Sequence, residues 1–113
     1  MKTLYRIAAL VIAGSAAIAA SPAMAATTTI SAKTTSGLML TGMPKTLKPG
    51  KYIFKYTNTS GLNHNLKVGS VSTPTFGKGT KSITVTLKKG TVSYICTVPG
   101  HAAGGMKGTI KVK

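Results

Sequence analysis

Four stretches of this chain alternate between inward-suited and outward-suited residues, and glycine, proline or polar turns separate them. Lys51–Asn58 sets Tyr52, Phe54 and Tyr56 on one face and Lys51, Ile53 and Lys55 on the other. Lys81–Leu87 offers Ile83, Val85 and Leu87 to one side, Thr91–Cys96 offers Val92, Tyr94 and Cys96, and Lys107–Lys113 offers Ile110 and Val112. A period of two is the signature of a strand with one buried face, and a helix cannot satisfy it. The chain is therefore expected to be all-β.

The intervening segments fill in the rest. Thr27–Lys33 reads as a first strand and Gly37–Leu40 as a short second one. Thr41–Lys48 reads as a loop, and Pro49-Gly50 marks a turn. Leu62–Val68 reads as a strand interrupted by Asn63-His64-Asn65, and Gly69–Gly79 as a loop. Lys88-Lys89-Gly90 reads as a hairpin turn. About seven short strands, with turn signals roughly every ten residues, predict a Greek-key antiparallel β-sandwich. No crossover helices are visible, which excludes a parallel α/β fold.

The first residues stand apart. Lys2 and Arg6 precede an apolar, small-residue run, Ile7–Ala20, and Ala23-Met24-Ala25 has the small-x-small form of a cleavage site. This is the pattern of a secretory signal peptide over residues 1–25, removed on export to the periplasm or beyond. The run is short and rich in alanine for a membrane span. Residues 26–113 then form one small domain.

Charge narrows the choice of function. The sequence has fifteen Lys and Arg, no Asp or Glu, and a formal net charge of +15. Self-repulsion costs stability, and more so at low salt, while anionic partners or surfaces are attracted. Beyond Ala25 there is no arginine, and the lysines are dispersed along the sequence. That pattern lacks the forked donors of base readout and argues against nucleic-acid recognition.

The C-terminal third carries the chemistry. Cys96, His101 and Met106 follow one another with four residues between each, on a loop containing Pro99, Gly100, Gly104 and Gly105. Cys96 is the only cysteine, so no internal disulfide competes for its sulfur. The only other histidine, His64, lies about thirty residues upstream. Thiolate and thioether suit Cu(I), imidazole suits either oxidation state, and two His, one Cys and a weak axial Met make a blue-copper set. Zinc would take the Cys and His but has little use for the thioether. A Cys–His nucleophile pair is the enzymatic rival, and no Asn or Asp orienter is evident for it. A lone cysteine or methionine is most often a packing residue, and Met39 and Met43 read that way.

Tyr94 to His101 and Gly105 to Ile110, with Leu47–Tyr52 and Asn58–Leu66, resemble the small cupredoxins of the plastocyanin/azurin family. The ligand-loop spacing is most like that of rusticyanin and auracyanin. The resemblance implies equatorial ligands His64, Cys96 and His101 and an axial Met106. It also implies that Asn65 ties the two ligand loops together, pairs with Thr97, and bonds the cysteine sulfur through its amide. Asn63 stands where azurin has a glycine, which argues against a fifth ligand.

A monomeric carrier of single electrons, not an enzyme, is the implied activity, with one copper cycling between Cu(I) and Cu(II). Acidic redox proteins would dock near His101, and an anionic membrane or envelope surface is a further partner for so basic a chain. Two other readings stand beside it: a periplasmic protein that binds and delivers copper, and a cationic surface-binding protein in which copper is incidental.

Overall fold

A computed structural model describes residues 27–113. The segment read as a signal peptide, residues 1–25, lies outside the described residues. Among the described residues there are eight strands and no helix. They are β1 (Thr28–Thr34), β2 (Thr46–Leu47), β3 (Gly50–Asn58), β4 (Lys67–Val68), β5 (Val71–Ser72), β6 (Gly79–Leu87), β7 (Gly90–Ile95) and β8 (Lys107–Val112). One sheet has the order β1-β3-β6, the other β2-β8-β7-β4-β5.

The alternation does what its period predicts. Tyr52, Phe54 and Tyr56 of β3, Ile83, Val85 and Leu87 of β6, and Ile110 and Val112 of β8 form the buried interior with Leu66 and Val68. Lys51 and Lys55 are exposed on the other face of β3. Removing a fully buried ring such as Phe54 would cost about 3–5 kcal/mol, a large part of a small domain's stability.

Two pairings, β1 with β3 and β2 with β8, are parallel, and the rest are antiparallel. The cause is the path of the chain. β2 belongs to the opposite sheet, so β1 and β3 are neighbours separated by one return passage and point the same way. Side-chain period carries no information about strand direction.

Several local expectations are corrected. Gly37–Leu40 is not a strand; Met39 N donates to Ser36 O at 3.3 Å, and just beyond the segment Thr41 bridges Lys33, with both N···O distances 2.9 Å. Lys88-Lys89-Gly90 is not a hairpin turn. Leu87 pairs with Gly50 and Gly90 with Val112, so the chain steps from one sheet to the other there. The two apolar faces then meet across the core instead of lying side by side. Leu62–Val68 forms ladder pairs only at Lys67–Val68, and the segments read as loops contain the two-residue strands β2 and β5. Strands that short show no alternation in sequence.

Candidate metal centre

At one end of the sandwich, four connecting segments converge: 35–45, 59–66, 73–78 and 96–106. Two of them bring His64 and the Cys96 loop together, and buried polar side chains fix each.

Asn58 ends the inward face of β3 after Tyr52, Phe54 and Tyr56, and it is fully buried. Its amide group donates to the carbonyls of Leu62 and Phe76, both at 2.8 Å, and its Oδ1 accepts from Ser60 N at 3.0 Å and Ser60 Oγ at 2.7 Å. Every hydrogen-bonding site of the side chain is used, which a buried amide requires. The Phe76 carbonyl also accepts from His64 N at 3.0 Å, and Phe76 N donates back to His64 O at 2.9 Å. Asn58 thus anchors the backbone that presents His64. The sequence reading passed over it, although a polar residue on an otherwise apolar strand face was the available signal.

Asn65 joins the two loops. Its Nδ2 donates to Thr97 Oγ1 at 2.8 Å and to Ser72 Oγ at 3.2 Å, and its Oδ1 accepts from Thr97 N at 2.7 Å. The tie to Thr97 matches the expectation. The bond from the Asn65 amide to the sulfur is not present among the described residues; the sulfur's neighbour is His101.

The Cys96 loop is closed on itself. Cys96 N donates to Met106 O at 2.9 Å, and Met106 N donates to His101 O at 3.1 Å. Gly100 turns the chain with φ +86°, a region that side chains resist. A Cβ on Gly104 would strike Leu38, so glycine there lets the Leu38 segment pack on the loop.

These supports aim three donor atoms at one point. His64 Nδ1 lies 3.0 Å from His101 Nδ1, and Cys96 Sγ lies 3.6 Å from the same nitrogen. The three donors lie within 4.8 Å of one another. An ion held at about 2.0 Å from nitrogen and about 2.3 Å from sulfur could be shared only by nitrogens closer than about 4 Å. The 3.0 Å nitrogen pair and the 3.6 Å nitrogen–sulfur pair meet such limits with bent angles, as donors gathered for one ion would. Thiolate with two imidazoles is a soft, borderline set suited to copper.

Electrostatics favour the same use. Burial, and next the charge of His101, hold the His64 pKa below its ordinary value, against the pull of the Gly37 backbone. A neutral imidazole offers its lone pair to a metal without first losing a proton. Among the described residues His64 Nε2 has no hydrogen-bond partner, although it is buried. His64, Cys96 and Met106 are sealed from solvent, whereas His101 is half-buried. Met106 is brought to the same loop closure through its backbone. Met43 packs on the core and Met39 is 63% exposed, as packing and loop residues.

The profile of the copper binding proteins of the plastocyanin/azurin family matches residues 22–113. Among solved structures, reduced auracyanin from Roseiflexus castenholzii superposes with a TM-score of 0.68 at 24% identity, covering 75% of this chain and 96% of that one. Auracyanin A of Chloroflexus aurantiacus, described as a "blue" copper protein, gives 0.65 at 22%, covering 78% and 100%. Rusticyanin from Thiobacillus ferrooxidans gives 0.60 at 26%, covering 77% of each chain. No curated protein sequence matches.

Proposed function

Since the chain belongs to the plastocyanin/azurin family of copper-binding proteins, we propose that it carries single electrons through one type 1 copper. The reading rests on the convergence of His64 Nδ1, His101 Nδ1 and Cys96 Sγ, with separations of 3.0 and 3.6 Å. His64, Cys96 and His101 hold the ion, and Met106 is its weak axial neighbour. Bound copper supplies a one-electron Cu(I)/Cu(II) couple.

The residues supply rigidity and access. Asn58 and Asn65 lock both ligand loops, which keeps rearrangement between oxidation states small. The half-buried His101 is the route by which electrons enter and leave. Met39 and Leu62 are the exposed large apolar side chains among the described residues, and both stand on loops at this end. With Pro99 and Ala103 they offer an apolar docking face. An acidic redox protein is the partner, attracted by the chain's formal net charge of +15, so that its on-rate falls with salt.

The protein works as a monomer and as a carrier, not as an enzyme. Its place is the periplasm or the outside of the cell, following removal of residues 1–25. Deep burial of His64, Cys96 and Met106 favours retention of the ion over its delivery to an acceptor.

Adding Cu(II) is expected to give an intense thiolate-to-copper absorption band and a narrow copper hyperfine splitting. Cys96→Ser should abolish the band. A colourless Cu(II) complex of the intact protein would sink the type 1 assignment.

A further inference from the structure

The fold gathers lysines that the sequence disperses. The four connecting segments at the metal end contain only two, Lys78 and Lys45, and Lys45 lies at the far end of its loop, next to β2. The opposite end is different. There β2 ends, β3 begins, β6 gives way to β7, and β8 ends. The register sets Gly50 against Leu87, Lys51 against Thr86, Gly90 against Val112 and Leu47 against Val112. Lys48, Lys51, Lys88, Lys89 and Lys113 therefore share one pole, and all five are exposed.

No aspartate or glutamate exists in the chain to neutralise them. Like charges gathered in this way repel, which opposes folding. Beside two of these lysines, Lys48 and Lys113, opens a crevice of about 550 Å³ that Thr28, Thr46, Leu47 and Tyr52 also line. The Tyr52 hydroxyl donates to Lys48 O at 2.7 Å, which leaves the ring to wall the crevice.

We propose that this pole is a docking surface for an anionic lipid bilayer. Lysine ammoniums meet the negative headgroups, and their long apolar stems lie along the interface. The apolar crevice faces the acyl boundary, which a soluble acidic chain would not use. Seated this way, the protein turns its metal end away from the membrane. The membrane contact itself does not depend on the redox reading.

The test is co-sedimentation of copper-loaded protein with vesicles of phosphatidylcholine, and with vesicles in which half the lipid is phosphatidylglycerol. Binding is expected only to the anionic vesicles, falling as salt approaches about 0.15 M. The triple variant K48Q/K88Q/K89Q should partition at least about tenfold less, and K33Q/K78Q/K81Q, of equal net charge, less than about threefold less. Urea midpoints measured on both confirm that each is folded. Absence of binding to anionic vesicles, or equal losses in the two triples, would overturn the proposal. So would binding of soluble polyglutamate through Lys48, Lys88 and Lys89 without binding to vesicles, which would assign the pole to an acidic polypeptide.

Discussion

Asn58 lies outside the donor set, yet the backbone that carries His64 hangs from it. Asn58→Ala removes four hydrogen bonds, to Leu62 O, Phe76 O, Ser60 N and Ser60 Oγ. At about 1 kcal/mol net each, the upper bound is about 4 kcal/mol. Phe76 O keeps its bond from His64 N, and the Leu62 and Ser60 groups can reach water, so the full penalty of orphaned groups does not apply. The expected loss is about 2–4 kcal/mol, or roughly 10–25 °C in Tm for a domain of this size. In urea unfolding of the metal-free protein the midpoint should drop by on the order of 2 M.

Asn58→Asp sharpens the test. It keeps the oxygen that accepts both Ser60 bonds but sets the second carboxylate oxygen, in place of Nδ2, against the carbonyls of Leu62 and Phe76. Burial and those oxygens would raise the carboxyl pKa above its unfolded value. The folded state then binds the proton more tightly, so this variant recovers stability as pH falls, unlike the parent. In the copper-loaded protein both variants should broaden or shift the charge-transfer band, because His64 loses its fixed backbone. Stability of Asn58→Ala within about 0.5 kcal/mol of the parent, or a pH-independent Asn58→Asp penalty, would refute the anchoring role.

Met106→Gln should leave copper bound and lower the reduction potential, since an oxygen donor favours Cu(II); a larger shift from Met39→Gln or Met43→Gln in voltammetry would mean that the axial residue is misassigned. In the metal-free protein the lowered His64 pKa means that the unfolded state takes the proton first. That stability is complete above about pH 6.5, is lost as pH falls toward the lowered folded value, and then levels off because no side-chain carboxylate follows. A urea midpoint that keeps falling steeply through the carboxylate range would contradict this. Gly42→Ala would push a Cβ into the Ser31 carbonyl at φ +90°, and should cost at least about 2 kcal/mol in the same assay.

The buried faces of β3, β6 and β8 were legible because a strand with one dry side must alternate. Cys96 and His101 were legible as donors because they are close along the chain and few other residues could compete. Partner choice was not. Lys88-Lys89-Gly90 looks like a hairpin turn locally, but whether it joins neighbours or crosses between sheets depends on contacts with Gly50 and Val112, far away in sequence. The same holds for the parallel pairs, for β2 and β5, and for the gathering of Lys48, Lys51, Lys88, Lys89 and Lys113 at one pole. Asn58 lies between these cases: its place on an apolar strand face was readable, but its bonds to Leu62 and Phe76 arise only when the loops close. Periodicity records which side of a strand is dry, because that is settled residue by residue. Which strands meet, and which charges are forced together, is settled by long-range burial, because each apolar face gains only when another covers it.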